Sequence, residues 1–426
     1  MTARTRQRLV ALAERLDELA RHSMRLWLDA GLDPLGGAHG FLDRTFRPRL
    51  DEDDAPQGPS GEVRGDQSLV QQARHLYAYS LYAERRPGEA RAVEFAHALH
   101  AHLVDAFERD GAFLHIRARD GRARSQTIEL YAQGFGIFAL ATYGRVFGVA
   151  EPALRALRHF EALDARLHDP EQGGYDQRND GAWLTFVSAP TGAAKCTNTH
   201  IHTLEALSAL GRALPSATLV RERILELVTL LATRLPQQSG YLPLFFDAAW
   251  RPVGPERVSY GHDVETAWLL LDALDVLQAH GQVPSDLALS VRGAAQAMVR
   301  HALRTGWDPA GGFFDHGTPE GVSSPSSALG RDKVWWAQAE ALPGLYRCFR
   351  LSADETLVTR LEMVAEFLAA RSWDEQFGGY YWSVDSSGRP LLPPLGRGDH
   401  KGEFWKTPYH DVRACVLTVD WIREDA

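Results

Sequence analysis

Apolar positions recur with a helical period over most of the chain. In one stretch near the middle, Val220, Ile224, Leu227 and Leu231 fall on a single stripe, and charged residues occupy the positions between them. The same spacing returns near the C-terminus, at 357–368. These segments are predicted to be helices that bury one face and expose the other to water.

A second kind of helical stretch carries almost no charge. The segment 131–144, YAQGFGIFALATYG, has no charged residue, and the segments 203–210 and 334–346 each carry one glutamate. A helix that is apolar all round is buried. The pattern therefore predicts alternating outer and inner helices along the chain.

A short glycine-aromatic pattern separates successive helix pairs. Each of its six copies has a glycine, an aromatic or apolar pair and polar turn residues, as in GGYDQRNDG, and the copies recur every 63–74 residues. Alternating apolar residues closed by a polar turn predict a short β-hairpin in each copy. We assign the marker glycines to turn positions with positive φ. They are Gly37, Gly111, Gly174, Gly240, Gly312 and Gly379.

These patterns predict an all-α fold of twelve helices in one domain, 1–426. The predicted helix starts lie near 4, 66, 89, 126, 151, 194, 217, 261, 287, 330, 353 and 406. Six inner helices surrounded by six outer ones form an (α/α)6 barrel, with the hairpins and the inner-helix N-termini at one rim. An open α-solenoid also stacks helix pairs, but its terminal repeats should be atypical, and the sixth repeat here is like the middle ones. The loop-like stretch 51–62 is predicted to be an exposed insertion.

The charge balance excludes polyanionic partners. The chain has 46 Lys and Arg against 55 Asp and Glu, a net charge of −9, and no basic cluster, so we expect neither nucleic acid nor membrane as a partner. The N-terminal segment lacks the apolar core of a signal peptide, and the three cysteines have no metal-type spacing. We expect a soluble, cytoplasmic monomer or homodimer.

Polar and aromatic residues that are unusual for buried helices lie near the predicted starts of the inner helices. Because those starts share one rim, the residues are predicted to converge on one pocket. They are Arg74, Tyr131, Asn198, His202, His262, Glu265, Trp335, Trp336, Gln338, Glu340, Trp405, His410 and Arg413. The helical spacing places Asn198 with His202, His262 with Glu265, and His410 with Arg413 on shared helix faces.

No metal or cofactor motif accompanies these residues. His200 and His202 are two residues apart on a helix and therefore point in different directions, and HExxH is missing. The sequence also lacks the glycine-rich phosphate loops and the G-x-S-x-G elbow. We predict no metal and no cofactor, so side chains alone must supply the chemistry.

An aromatic pocket bordered by Arg, Asn, Gln and Glu suits a sugar. Two histidines with pKa values near neutrality suit proton transfer, one acting as base and the other as acid. In an open-chain aldose the proton within reach of such a base is the one at C2, and a cation such as Arg74 would stabilise the resulting enediolate. This scheme predicts a rate that falls below about pH 6, where the histidines become charged.

Four long motifs resemble the N-acylglucosamine 2-epimerase family, in particular its cellobiose and mannose 2-epimerases. They are NTHIHTLEAL (198–207), VSYGHDVETAWLL (258–270), KVWWAQAEAL (333–342) and FWKTPYHDVRAC (404–415). The resemblance implies an (α/α)6 barrel that interconverts glucose- and mannose-configured sugars without a cofactor, by proton transfer at C2 through a cis-enediolate.

The resemblance also implies roles for matched residues. His262 and His410 would be the acid/base pair on opposite faces of the enediol. His202 would bind the reacting sugar and assist ring opening, and Glu265 would orient His262. Further residues implied to contact the sugar are Asn198, Arg74, Tyr131, Trp336 and Trp405.

Other activities remain open at this stage. An aldose–ketose isomerase would return the proton to C1 instead of C2, and an N-acylglucosamine 2-epimerase would use the same pocket. A glycoside hydrolase needs two facing carboxylates, for which Glu265 and Glu340 are the candidates. A non-catalytic interaction protein is the remaining alternative, and the presence of both His262 and His410 argues against it.

Overall fold

A computed structural model describes residues 1–49, 63–109, 111–125, 128–177, 189–281, 283–322, 332–392 and 398–426. The predicted insertion at 51–62 lies outside the described residues. Within these ranges the chain forms twelve α-helices, as the periodicity predicts. They are α1 (Ala3–Ala30), α2 (Leu69–Arg85), α3 (Ala90–His102), α4 (Leu130–Phe147), α5 (Ala150–Leu167), α6 (Thr197–Ala213), α7 (Thr218–Thr229), α8 (Tyr260–Ala279), α9 (Ser285–Thr305), α10 (Trp335–Ser352), α11 (Glu355–Phe367) and α12 (Tyr409–Asp425). Single π-helical turns extend α3, α7 and α11 at Leu103–Phe107, Leu230–Arg234 and Leu368–Ser372.

The even-numbered and odd-numbered helices differ in burial, as predicted. In α4 every residue from Leu130 to Gly144 is buried. In α1 only one face is buried, with Leu9, Leu12 and Leu16 on it. None of the helices within the described ranges is both long and apolar enough to cross a membrane.

Five of the inner helices begin three to five residues later than predicted. Two-residue strands occupy the positions before three of them: β1 (Gln67–Ser68) before α2, β6 (Lys195–Cys196) before α6, and β10 (Lys333–Val334) before α10. These strand residues are buried like the helix that follows. The strand residues pair with other segments instead of starting the helix.

The inner helices contact one another in a closed cycle. α2 packs on α4, α4 on α6, α6 on α8, α8 on α10, α10 on α12, and α12 on α2. The outer helices α1, α3, α5, α7, α9 and α11 pack respectively on α12, α2, α4, α6, α8 and α10. Ion pairs join neighbouring inner helices in their C-terminal halves: Glu84–Arg145, Arg212–Asp272, Asp275–Arg347, Arg350–Asp425 and Arg85–Asp420. In an open solenoid the last inner helix would not touch the first, so the contact between α12 and α2 argues against that fold.

Short strands lie before the inner helices and in the loops that follow the outer ones. The remaining strands are β2 (Glu108–Arg109), β3 (Ala112–Phe113), β4 (Ile116–Arg117), β5 (Ala123–Ser125), β7 (Phe245–Phe246), β8 (Val258–Ser259), β9 (His316–Gly317) and β11 (Ser383–Val384). Of the six predicted hairpins, only the copy near Gly111 forms local strand pairs among the described residues, β2–β3 and β4–β5. Other copies have single bridges, such as Phe246–Pro252 and Val384–Pro390. Four further antiparallel pairs, β1–β4, β6–β7, β8–β9 and β10–β11, connect consecutive loops. The pairing therefore links neighbouring repeats as well as closing turns within them.

The repeated glycines have the positive φ that the sequence predicts, and one of them shows why a side chain is excluded. Gly312 has φ +83°, and a Cβ there would lie 2.5 Å from Oε1 of Gln338. Gln338 is the fourth residue of α10, and its amide bonds both backbone groups of Phe313, at 2.8 Å each. Gln72 and Gln133, each fourth in its inner helix, hold Ala38 and Phe113 in the same way. In these three repeats, a glutamine at the fourth position of the inner helix therefore holds the backbone beside the glycine turn.

Candidate active site

Three histidines lie near the N-termini of α6, α8 and α12, and each is held through Nδ1. Nδ1 of His202 lies 2.9 Å from Glu205 Oε2, and Nδ1 of His410 lies 2.8 Å from Glu340 Oε1. Nδ1 of His262 lies 2.7 Å from the hydroxyl of Ser259, which is the N-cap residue of α8. Nε2 of all three rings is free of hydrogen bonds to the described residues. This arrangement fixes the rings and leaves one nitrogen of each for a ligand.

The side chain of Arg413 connects three buried glutamates on three helices. Its guanidinium donates to Glu265 Oε1 at 2.8 Å, to Glu340 Oε1 at 2.6 Å, and to Glu205. Tyr409 donates to Glu205 Oε2 at 2.5 Å. Arg413, Glu265 and Glu340 are completely buried, so one guanidinium lies among several carboxyl groups that are shielded from bulk solvent.

This cluster separates the pKa values of its carboxyl groups. Burial raises the pKa of Glu265 to about 8, and the charge of Glu340 adds to the increase. Burial also raises the pKa of Glu340, against the opposing effect of Arg413. For Glu205 burial is outweighed by Arg413 and by the hydrogen bond from His202, and its pKa falls to about 2. At neutral pH Glu205 is therefore ionised and Glu265 carries a proton.

Burial also shifts the histidines. It lowers the pKa of His262 to about 3, with a further contribution from the charge of His202. Burial lowers the pKa of His202, and that of His410 well below its usual range. All three imidazoles are therefore neutral at pH 7, and each can accept a proton.

The two adjacent tryptophans, both predicted to lie at the pocket, have different surroundings. The ring of Trp336 is half-buried, and its centroid lies 4.8 Å from that of His262 and 5.5 Å from that of His410. Trp335 is buried and packs edge-on against Trp382 at 4.7 Å. Trp336 therefore lies close to both histidines, whereas Trp335 belongs to the core beside Trp382.

Arg74 lies on the opposite side, on α2. Its guanidinium donates to the hydroxyl of Tyr131 at 2.7 Å and to the carbonyl of Trp405 at 2.9 Å. The ring of Tyr131 lies 5.3 Å from that of His202, and Trp405 is 37 % exposed. Arg74 thus joins two aromatic residues near the histidines, and Trp405 is the outermost of the three.

The amide side chains of Asn198 and Gln338 differ in their partners. Asn198 is half-buried, and its Oδ1 has no partner among the described residues, which leaves this oxygen available to a ligand. Contact between Gln338 and a ligand stays a prediction; in the structure both ends of its amide bond the backbone of Phe313. A buried polar residue is satisfied equally well by a backbone segment or by a ligand, and the sequence does not distinguish these.

Sequence reasoning missed three residues of the site. Glu205 bonds His202, Ser259 bonds His262, and the indole N–H of Trp268 donates to Glu340 Oε2 at 3.0 Å. Glu205 follows His202 by three residues, the same spacing that drew attention to His262 and Glu265. Glu265, expected to orient His262, instead bonds Arg413, and the orienting partner lies three residues before the histidine.

One group in the described residues has the composition of a metal site. Ligand atoms of Glu265, Glu340 and His410 lie within 4.8 Å of one another. The guanidinium of Arg413 donates to both carboxylates, so a positive charge already occupies this position. A metal ion would have to displace the fully buried Arg413. The two carboxylates are therefore better suited to the guanidinium than to a metal ion.

The family and the relatives that the chain matches show an enzyme of the isomerase class. The chain belongs to the N-acylglucosamine 2-epimerase (GlcNAc 2-epimerase) family, whose sequence model matches residues 58–401. A cellobiose 2-epimerase of Bacteroides fragilis is 30% identical over 409 residues, which cover 94% of this chain and 96% of the relative.

Solved structures agree with this assignment. The cellobiose 2-epimerase of Spirochaeta thermophila superimposes with a TM-score of 0.81 at 29% identity, over 97% of this chain and 98% of the other. A D-mannose isomerase structure has a TM-score of 0.79 at 19% identity, over 95% and 97% of the two chains, and shares the fold.

Proposed function

We propose that this protein is a sugar 2-epimerase with an (α/α)6 barrel, in which His262 and His410 exchange the proton at C2. The observation that carries the proposal is that both imidazoles border the ring of Trp336, with Nδ1 held and Nε2 available. A sugar stacked near this tryptophan would have a histidine nitrogen on each side. Two opposed groups are what an inversion at one carbon requires, because the proton leaves one face and returns to the other.

The proton balance of the reaction follows from these positions. Nδ1–H of His410 is donated to Glu340, so Nε2 carries a lone pair that can take the proton from C2 of the open-chain sugar. The C2–H bond breaks, and its electrons form the enediolate. The charge on the enediolate raises the proton affinity of the facing imidazole, so His262 takes a proton from solvent and delivers it to the other face of C2. His410 then releases to solvent the proton that it took from C2. In the reverse direction the two histidines exchange roles.

The surrounding residues would bind the sugar and stabilise the charge that develops on it. Arg74 is a buried cation beside the histidines and would stabilise the oxygens at C1 and C2 as charge develops. His202, held by Glu205, and Asn198, with a free Oδ1, would bind the sugar and assist ring opening. Tyr131, Trp336 and Trp405 would provide its apolar contacts, since sugars stack their C–H faces on aromatic rings.

We propose glucose- and mannose-configured sugars of the cellobiose or mannose type as substrates. Relatives named cellobiose 2-epimerase match over nearly their whole length, and the pocket has the aromatic surfaces a saccharide needs. The same geometry serves an aldose–ketose isomerase, in which the proton returns to C1, and this remains the second candidate. An N-acylated substrate, a cytoplasmic location and a monomeric or homodimeric state remain predictions from the sequence.

A glycoside hydrolase receives less support from the geometry. Hydrolysis requires two carboxyl groups on opposite sides of the bond that breaks. Glu265 and Glu340, the candidates from the sequence, both accept from the same nitrogen of Arg413 and are completely buried. They lie beside each other beneath the histidines instead of facing each other across a ligand.

The experiment is proton exchange followed by NMR in D2O with mannose, cellobiose and N-acetylmannosamine. We expect deuterium at C2 together with a 2-epimer for at least one sugar. His262→Asn and His410→Asn should each lower kcat by about 10²–10⁴-fold, the usual contribution of a general acid or base. A ketose product would favour the isomerase, while undiminished turnover in both variants would rule out the histidine pair.

A further inference from the structure

The residue directly after His262 is a buried aspartate that the reaction described above does not use. Asp263 is 1% exposed, and its Oδ1 accepts a hydrogen bond from the backbone N–H of Leu242 at 3.1 Å. Its Oδ2 has no partner among the described residues. Facing it is His301 of α9, which is completely buried. Nδ1 of His301 lies 3.9 Å from Oδ2 and likewise has no hydrogen bond within the described ranges.

The donors and acceptors of this pair leave room for one proton between the two atoms. Nε2 of His301 lies 2.9 Å from the carbonyl oxygen of Pro319, and a carbonyl only accepts, so this nitrogen carries the ring proton. A neutral imidazole has a single N–H, which makes Nδ1 a lone pair. If Asp263 were ionised, Oδ2 would be a second buried acceptor facing the first. One proton on the carboxyl group turns them into a donor and an acceptor, whereas unsatisfied buried groups destabilise the fold.

The position of Asp263 in the repeat also favours a side chain that donates. It is the fourth residue of α8, and the fourth residues of α2, α4 and α10 are the glutamines that hold the glycine turns. Each of those amides accepts from a backbone N–H with its oxygen and donates to a carbonyl with its nitrogen. A protonated carboxyl group offers the same combination of one donor and one acceptor, while a carboxylate only accepts.

The surroundings of the pair favour its neutral form. Burial raises the pKa of Asp263 well above its usual value, and burial lowers the pKa of His301. The rings of Tyr241 and Tyr260 lie 5.4 Å and 6.4 Å from that of His301, and burial raises the pKa of each tyrosine to about 12. The charged groups that act on His301, with opposite effects, are Arg304 and Glu320. We therefore expect a neutral acid beside a neutral imidazole between pH 6 and 8.

The first turn of α8 carries His262 between two anchored residues. On one side Tyr260 fills space that Gly306 leaves open, since a Cβ at that glycine would lie 2.3 Å from the tyrosine ring. On the other side Asp263 ties the turn to the backbone of Leu242. The position of the His262 ring therefore depends on both anchors. A displacement of about 1 Å at a reacting group can lower a rate about 100-fold.

We propose that Asp263 is a protonated acid that donates to His301, and that it thereby positions the first turn of α8 and the imidazole of His262. Asp263 is a positioning residue, because it acts through the histidine and does not touch the sugar. This positioning role rests on the proposed function, since it concerns the group that acts at C2. The proton on Asp263 does not depend on which reaction the site performs.

The number of protons bound on folding tests the protonated acid without any substrate. In the unfolded chain Asp263 is ionised above about pH 5, so folding of the wild type takes up one proton that folding of Asp263→Asn does not. Asparagine keeps one donor and one acceptor but cannot ionise. The folding equilibrium constant of Asp263→Asn, divided by that of wild type, should rise about tenfold per pH unit between pH 6 and 8 in urea unfolding. A ratio that is independent of pH would overturn the proposal.

Asp33→Asn is the matched control. Asp33 is 4% exposed, but it accepts two hydrogen bonds from Arg119, at 2.8 Å and 3.1 Å. Its carboxylate is ionised in the folded chain as in the unfolded chain, so the corresponding ratio should not change between pH 6 and 8. A ratio that rises as steeply for the control as for Asp263→Asn would also refute the proton on Asp263.

Deuterium entry at C2 in D2O tests the positioning role. Asp263→Asn should keep kcat within about threefold of wild type, whereas Asp263→Ala, which leaves Leu242 and His301 without partners, should lower kcat about 10–100-fold with little change in KM. Equal losses in the two variants, or undiminished kcat in Asp263→Ala, would contradict positioning through these bonds. A wild type that exchanges no C2 proton with any sugar would refute the proposed reaction, and the pH dependence of folding would then decide whether Asp263 is protonated.

Discussion

His410 and Glu340 lie on different inner helices, yet Nδ1 of the histidine is 2.8 Å from Oε1 of the glutamate. Because the carboxylate accepts, the neutral imidazole carries its proton on Nδ1 and its lone pair on Nε2. The same glutamate accepts from Arg413 and from Trp268. The orientation of the proposed base therefore depends on groups that never touch the sugar.

The first prediction concerns Trp268. Trp268→Phe removes the N–H that holds Oε2 of Glu340, and a hydrogen bond to a charged group contributes about 1.5–3 kcal/mol. We expect kcat to fall about tenfold with little change in KM, because Trp268 lies behind the glutamate. Steady-state kinetics measure both constants.

Trp307→Phe provides the comparison. The Trp307 indole N–H has no partner among the described residues, and its ring packs against Phe313. Its kcat should remain within twofold of wild type. Equal losses in the two variants would mean that the effect comes from indole packing and not from the bond to Glu340.

The pH dependence of the rate should have two limbs. Burial lowers the pKa of His262 to about 3 and that of His410 well below 6.5, so both remain neutral to more acid pH than the sequence alone suggests, and the acid limb should lie below pH 6. Burial raises the pKa of Glu265 to about 8. Above that pH it gains a negative charge 4.0 Å from Nε2 of His202, which opposes the enediolate, so the rate should fall.

Glu265→Gln isolates the alkaline limb. The amide stays neutral at every pH, and the decline above about pH 8 should disappear from the profile of kcat/KM. The acid limb should remain, since it belongs to the histidines. An alkaline limb that persists unchanged in this variant would assign it to another group.

The third prediction concerns stability in acid. His200 accepts a hydrogen bond from the Tyr175 N–H at 3.0 Å, and burial lowers its pKa to about 4. Between the unfolded value of about 6.5 and 4, the unfolded chain binds a proton that the folded chain does not. The free energy of unfolding therefore falls as the pH drops through this window.

His200→Gln should remove this dependence. Glutamine makes the equivalent bond at the fourth position of α2, α4 and α10, so the substitution follows the repeat. The difference in the free energy of unfolding, variant minus wild type, should be about 2 kcal/mol larger at pH 5 than at pH 8. Urea unfolding at the two pH values measures the difference, and an offset independent of pH would contradict the assignment.

The fourth prediction separates structural from binding roles. Gln338→Ala leaves the buried N–H and C=O of Phe313 without their partners, which costs about 2–3 kcal/mol. The midpoint of thermal unfolding should drop, while sugar affinity at a temperature where the protein is folded should stay within about twofold. Trp336→Ala should show the reverse pattern, with affinity lost and a smaller change in stability. If folded Gln338→Ala binds sugar weakly, Gln338 contacts the sugar.

The helices and the repeat could be predicted because their signals are local. A stripe such as Val220, Ile224 and Leu227 depends only on residues within two turns of each other. Five inner-helix starts are predicted too early because a two-residue strand such as β6 comes directly before the helix and is buried like it. Its partner, β7, lies in another repeat, and no local pattern announces that pairing.

The candidate site divides in the same way. The sequence by itself determined which residues share a helix face, and so it brought His262, His410 and His202 to the inner-helix N-termini. Only the tertiary structure decided the partners on other helices: Glu340 for His410, and Arg413 for Glu205, 208 residues away. Spacing within one helix fixes direction around its axis, whereas contact between helices depends on how side chains pack between them. That packing involves the whole ring of helices at once, and it is where the electrostatics of this site are set.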